Sequence, residues 1–310
     1  MTEVSNKTAV DPVERAIRRI QSVYGSWNRN TSVAQMRSDW DAAFAGCTVP
    51  ESCRQASADG VDGEWIVPAD APRDKAILYF HGGGFRLGSI ASHRDLIARI
   101  ADASGCRVLA VNYRLAPEHR FPAALEDALA AYTWLREQDF KPKDIVLAGD
   151  SAGGNLVLTA MLSLRHRGEA LPAAGVLMSP WTDLAATGES YLSRATADPI
   201  HQRSMILALA KGYMGDGGDP FDPLASPLYA DLVGLPPLLI HAGDRETVRD
   251  DATMLAEKAK AAGVDVELKV WDGMIHVFQM FSEIPQAQTA MAAIASFLRR
   301  HLRLEAERVR

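Results

Sequence analysis

The segment Gly149-Asp150-Ser151-Ala152-Gly153 sets a serine between two glycines, directly after the apolar run Ile145–Ala148 and before a stretch of helical spacing that begins near Gly154 and Asn155. A chain that turns sharply from strand to helix holds the intervening serine in a strained backbone conformation, with no room for neighbouring side chains, and lifts its hydroxyl above the sheet. The N-terminus of the following helix also favours negative charge nearby. A bare G-x-S-x-G arises by chance in roughly one chain of this length in ten. Its placement between strand and helix, rather than the motif alone, marks Ser151 as a candidate nucleophile.

A second element, His81-Gly82-Gly83-Gly84-Phe85, follows the apolar run that ends at Phe80. Consecutive glycines expose backbone N–H groups, and acyl transfer develops negative charge on a carbonyl oxygen. Donors already aimed at that oxygen stabilise it by about 2.7 to 4 kcal/mol each. Gly83 and Gly84 are the candidate donors, with Ala152 the third as the residue after the nucleophile. The competing reading is a phosphate-cradling loop, but Gly-Lys-Ser/Thr and Rossmann spacing are both missing.

A serine hydroxyl is a weak nucleophile until an imidazole takes its proton. Of the eight histidines, His276 lies in Asp272-Gly273-Met274-Ile275-His276, a loop after the last strand candidate. The chain order serine, acid, histidine puts the base there. His81 and His119 sit in Gly- or Pro-rich turns with structural roles, His241 lies within a strand, and His93, His166, His201 and His301 read as surface helical positions. The acid that orients the imidazole should follow the strand Leu238–His241. Asp244 and Glu246 both stand there and spacing does not choose between them, while Asp250 and Asp251 belong to the next helix.

These residues need a scaffold. From Gly63 onward short β-branched or apolar runs alternate with helical patterns, the signature of an α/β architecture built on a mainly parallel sheet. The strand candidates are Glu64–Val67, Ala76–Phe80, Val108–Val111, Ile145–Ala148, Val176–Met178, Leu238–His241 and Val266–Val270. Helical spacing runs through Ala123–Leu135, Leu156–Leu164 and Leu255–Ala262. Upstream, Asp11 caps a helix with Pro12 in its first turn and Glu14 reaching back, running to about Trp27, and Ser32 to about Phe44 forms a second. About sixty residues separate Met178 from Leu238, too many for an ordinary connection. We expect an insertion there, with a helix over Pro199–Tyr213 and a turn-rich Gly215–Pro227. It packs with the N-terminal helices as a cap. The expected division is 1–48 N-terminal cap helices, 49–182 and 229–310 catalytic core, and 183–228 inserted cap segment. The apolar positions of 277–303 are expected to cover the sheet.

Composition bounds the rest. With 310 residues, 47% of them hydrophobic, the chain has ample material for a core, and a net charge of -6 with scattered acids gives no footprint for nucleic acid. No apolar run approaches a membrane span, and the charged N-terminal stretch does not read as a signal peptide. Three cysteines match neither a disulfide framework nor a zinc site; Cys106 reads as core, and a Cys47–Cys53 bridge is the minor alternative to free thiols. A cytoplasmic protein, without membrane attachment, is the expectation.

Together the motifs resemble those of the hormone-sensitive lipase-like (bacterial family IV) carboxylesterases of the α/β-hydrolase superfamily. His81–Phe85, Asn112-Tyr113-Arg114-Leu115-Ala116-Pro117-Glu118, Phe121-Pro122-Ala123-Ala124, Gly149–Asn155 and the Gly273 to His276 loop occur in family order. The resemblance implies an α/β-hydrolase fold with an eight-stranded-type sheet and a helical cap, and makes Tyr113–Pro122 a turn supporting the glycine loop. At the acid position the family usually carries Asp-Pro-Leu-Arg-Asp. Aligned without gaps on Arg249-Asp250, the acid falls on Glu246, whose spacing to His276 resembles the family's better than that of Asp244.

The chemistry so implied is hydrolysis of short-acyl carboxylic esters through Ser151, His276 and Glu246 and an acyl-enzyme, with no metal or organic cofactor required. Lactone opening uses the same site, and a catalytically inert ligand receptor or a peptidase are the remaining readings. Trp27, Trp40, Trp181 and Met214 are candidate pocket walls, with core packing the blander role for each. A small-molecule substrate and a monomer or homodimer complete the expectation.

Overall fold

The computed structural model describes residues 10–45 and 53–304. Cys47, and with it any Cys47–Cys53 bridge, lies outside them. In chain order the elements are α1 (Pro12–Ser26), α2 (Val33–Phe44), β1 (Cys53–Ala58), β2 (Val61–Ile66), β3 (Ala76–Phe80), α3 (Ile90–Ser104), β4 (Val108–Val111), α4 (Ala123–Glu137), β5 (Ile145–Asp150), α5 (Ala152–His166) and β6 (Ala174–Met178). The short α6 (Ser190–Ser193), α7 (Arg203–Met214), β7 (Leu238–Gly243), α8 (Arg249–Ala261), β8 (Val266–Trp271) and α9 (Pro285–Leu302) complete it.

The eight strands form one sheet in the order β1-β2-β4-β3-β5-β6-β7-β8. β2 runs antiparallel to both its neighbours, and every other pairing is parallel. Parallel strands are covered on both faces, and their side chains divide accordingly. Ile77 and Tyr79 of β3, with Val146 and Ala148 of β5, face Ile97 of α3 and Phe297 and Leu298 of α9. Leu78 and Phe80, with Leu147, face the other way, against Leu129 of α4, Leu156 of α5 and Leu255 of α8. The 277–303 region thus holds a helix that covers the sheet. A third apolar cluster joins Ala16, Ile17 and Ile20 of α1 and Phe44 of α2 to Trp271, the last residue of β8, and to Ile275, Phe278 and Phe281 beyond it.

Strand β1 was absent from the expected set because Cys-Arg-Gln-Ala-Ser-Ala has neither an apolar run nor clean alternation; as an edge strand it buries only Ala58. Helix α3 carries signals at both ends, a Ser89/Ser92 capping box and a left-handed Gly105 at the C-terminus. The Asp11 cap forms as expected, its Oδ1 accepting from Val13 N at 2.9 Å. Glu14 departs from the capping-box reading: its carboxylate lies 3.9 Å from Arg245 Nη1. The helix expected over Pro199–Tyr213 starts later, at Arg203, because Asp198 Oδ1 accepts the N–H groups of Ile200 and His201 and winds that stretch into a turn instead.

One buried ion pair fixes α3 to the antiparallel edge. Glu64 on β2, almost fully buried, receives a two-pronged contact from Arg94, at 2.9 Å from Nε and 3.0 Å from Nη2. Removing one partner strands a buried charge, whereas replacing both by apolar groups removes the desolvation cost as well. Arg94→Met should lower unfolding free energy by about 3 kcal/mol in urea titrations, and the double variant Glu64→Leu/Arg94→Met should recover most of it. A single variant as stable as the wild type would show that the pair contributes nothing.

Candidate active site

Ser151 follows β5 with φ 51° and ψ −117° and precedes the first residue of α5. A non-glycine residue there carries of order 1–3 kcal/mol of strain, which the surroundings must impose. They do so by close approach. A Cβ on Gly153 would lie 1.9 Å from the Phe80 carbonyl oxygen, so only glycine lets the first turn of α5 pack against the end of β3. That contact brings the loop after β3, which holds the three glycines, beside the serine.

Three elements converge on the hydroxyl. His276, in the loop after β8, sets Nε2 2.9 Å from Ser151 Oγ and Nδ1 2.8 Å from Glu246 Oε2. The other oxygen of Glu246 accepts from Ser179 Oγ at 2.7 Å and from the Gly243 N–H. Ser179 also accepts from Val277 N at 3.1 Å, tying the residue after β6 to the loop that bears the histidine. Nothing in the sequence singled out Ser179, since its role arises only where β6 ends beside β7. Asp244, two residues before Glu246, turns away to pair with Arg194 at 3.0 Å and lies 3.8 Å from Arg249. Burial works against a charged His276, but the Glu246 carboxylate, helped by Asp198 and Asp150, outweighs it and raises the imidazole pKa above the ordinary value.

The glycine loop is held from several sides. Gly83 has φ 118°, and a Cβ there would meet the Leu87 carbonyl oxygen at 2.2 Å. Gly82 donates its N–H to Asp150 Oδ1 at 3.0 Å, so the residue before Ser151 clamps the loop. The same carboxylate accepts from the Tyr79 hydroxyl at 2.6 Å and stands 3.4 Å from His93 Nε2. Burial would push the Asp150 pKa up, yet His93 and the hydrogen bonds keep it below the usual carboxylate range. His93 was expected on a surface; it is buried, because the face of α3 that carries it packs beneath the glycine loop. His81 is neutral: burial pushes its pKa down to about 3, and its ring stacks on Tyr113 at 4.4 Å. The Tyr113–Pro122 turn braces this loop, through the Tyr113 hydroxyl on the His81 carbonyl at 2.6 Å and Ala116 N on the Phe85 carbonyl at 2.8 Å.

Ser151, His276, Gly83 and Gly84 line one cavity of about 80 Å³. Its walls are Trp40 and Phe44 from α2, Met205 and Leu209 from α7, and Phe281. Among the expected wall residues only Trp40 is there. Trp181 is buried a layer behind, its ring 5.9 Å from Phe85, Trp27 bonds Asp39 at 3.0 Å, and Met214 lines a separate surface cavity. His201, also expected on a surface, is largely buried in the wall beside His276. Met205 and Leu209 escaped the sequence reading because apolar spacing in α7 says that a face is buried, not what it faces. Leu209 lies directly over Gly84, and Tyr213 of the same helix stacks on Phe85 with 3.7 Å between ring centres.

Comparison with known proteins identifies the family. A family model described as alpha/beta hydrolase fold matches residues 77–280. An acetyl-hydrolase of Streptomyces hygroscopicus is 41% identical over 279 residues, covering 88% of this chain and 92% of the relative. An esterase of Acinetobacter venetianus is 41% identical over 239 residues, covering 77% and 78%. The crystal structure of an esterase from the bacterial hormone-sensitive lipase family shares 45% identity, covers 94% of this chain and 98% of that one, and superposes with a TM-score of 0.89. With a mainly parallel eight-stranded sheet and a family model spanning most of it, the chain belongs to the hormone-sensitive lipase-like carboxylesterases of the α/β-hydrolase fold.

Proposed function

We propose that the protein hydrolyses short-acyl carboxylic esters through an acyl-enzyme on Ser151. The observation that carries this reading is the unbroken hydrogen-bond chain from Ser151 Oγ through both nitrogens of His276 to Glu246, beside a glycine loop and within one cavity. His276 Nε2 takes the serine proton as Oγ attacks the carbonyl carbon. The negative charge that develops on the carbonyl oxygen is met by the N–H groups of Gly83, Gly84 and Ala152, each worth about 2.7 to 4 kcal/mol in the transition state. His276 then gives the proton to the departing alcohol oxygen, and the acyl group remains on Ser151. A water deprotonated by the same nitrogen releases the acid. Glu246 holds the proton of His276 on Nδ1 and stabilises the imidazolium in both half-reactions.

Short acyl groups suit the walls of the cavity. The bulky side chains of Trp40, Phe44, Leu209 and Phe281 close in on Ser151 and leave an apolar space suited to a short chain. In this reading α1 and α2, together with the 183–228 insertion, form a cap over the site, since Ile20 and Tyr24, Trp40 and Phe44, and Met205 and Leu209 close the cavity from those segments. Among the described residues no helix is long and apolar enough to cross a membrane.

Hydrolysis of p-nitrophenyl esters should be fastest between acetate and butyrate and fall with longer chains. Ser151→Ala should lose at least about a thousandfold in kcat; retained activity would remove the serine from the mechanism. The acid is tested by a pair of variants. Glu246→Gln should lose about a thousandfold, whereas Asp244→Asn should retain wild-type kcat; the reverse pattern would reassign the acid. His276 is active only when neutral, so kcat/KM should fall as pH decreases through its raised pKa. Loss of the Glu246 charge should therefore move that acid limb to lower pH in Glu246→Gln and leave it in place in Asp244→Asn.

A further inference from the structure

The wall of the cavity contains a second histidine–acid pair that the mechanism above leaves unused. His201, just before α7, meets His276 edge to face, with ring centres 4.6 Å apart and planes at 77°. Its Nδ1 is buried without a hydrogen-bond partner, 3.8 Å from Asp198 Oδ2. Asp198 is itself fixed in place. Its Oδ2 accepts from the Thr247 N–H at 2.8 Å and the Thr247 hydroxyl at 3.1 Å, and its Oδ1 takes the N–H groups of Ile200 and His201. Thr247 adjoins Glu246, so one loop after β7 positions the carboxylates of both pairs.

The protonation of His201 follows from its surroundings. Burial, then repulsion from His276, push its pKa down to about 4, so the ring is neutral where the enzyme would work. A neutral imidazole carries one proton, and the Asp198 carboxylate draws it to Nδ1. Nε2 is then an acceptor, and the ring lines the cavity with Ser151. An acceptor in such a setting favours a ligand that brings a donor.

Geometry also assigns the half of the substrate that would bring it. His276 must hand its proton to the departing oxygen, so the alcohol half of an ester lies against His276, away from Gly83 and Gly84. His201 flanks that same imidazole. We propose that His201 is a specificity-determining residue that accepts a hydrogen bond from a hydroxyl on the alcohol half, making partial esters of short diols and polyols the favoured substrates. The proposal rests on the reading of Ser151 and His276 given above.

An isosteric pair tests it: 2-hydroxyethyl butyrate and propyl butyrate, which differ by a hydroxyl in place of a methyl. The wild type should prefer the hydroxylated ester about tenfold in kcat/KM, the size of one net hydrogen bond. In His201→Leu that ratio should fall to about one, and in His201→Gln, which keeps an acceptor, it should stay between the two. A wild-type ratio of one overturns the proposal without recourse to any variant. So does a His201→Leu enzyme in which both esters lose kcat/KM in equal proportion, the outcome for a ring that merely supports His276. Ser151→Ala, assayed alongside, separates the two levels: hydrolysis of either ester by that variant would refute the nucleophile, not the specificity role.

Discussion

The structure turns on the close approach of the first turn of α5 to the end of β3. Gly153 stands where a single methyl group would collide with the Phe80 carbonyl. That proximity forces Ser151 into positive φ and sets the glycine loop alongside it. Neither element is self-sufficient, because a strained serine persists only when its surroundings over-determine it. Here the parallel pairings of β5 with β3 and β6 hold one side and the buried α5 holds the other. The elbow and the loop are therefore two ends of one packing contact. Asp150 completes it by spanning from the elbow to Gly82.

Around that contact three buried carboxylates each face a histidine. Glu246 meets His276, Asp150 meets His93, and Asp198 lies near His201. A buried carboxylate is tolerable when hydrogen bonds and a nearby positive or polarisable group offset its desolvation. The three differ in what offsets them. Asp150 is satisfied within the scaffold and holds the loop, whereas Asp198 is held by backbone and threonine donors, and burial keeps His201 neutral at the cavity wall. Glu246 keeps one oxygen for His276 because Ser179 and Gly243 occupy the other. In the proposed mechanism, positioning of this kind fixes the imidazole before substrate arrives, so little reorganisation is left to the reaction.

The walls of the cavity come from segments distant in sequence. α1 and α2 contribute through the same cluster that packs on the loops after β8, and α7 contributes while its Tyr213 stacks on the glycine loop. Movement of either segment would alter the cavity and the loop together, so in the proposed mechanism the size of the substrate and the placement of the backbone donors are coupled by packing.

Much of this was legible in the residues. The alternation of apolar runs and helical spacing, the glycines around Ser151 and the three glycines after Phe80 encode strands, an elbow and a donor loop locally, because each follows from short-range backbone sterics. The order serine, acid, histidine pointed to His276, which the fold places between Ser151 and Glu246, and alignment on Arg249-Asp250 favoured Glu246. Local pattern could not distinguish Asp244 from Glu246 on physical grounds, since both carboxylates stand in one loop. Only the fold, by placing Ser179 and Gly243 around one of them and Arg194 beside the other, turned Glu246 inward. The buried states of His93 and His201, the wall formed by Met205 and Leu209, and the role of Ser179 were likewise settled by tertiary packing. Spacing along a helix reveals that a face is covered; what covers it depends on long-range contacts that no local pattern contains.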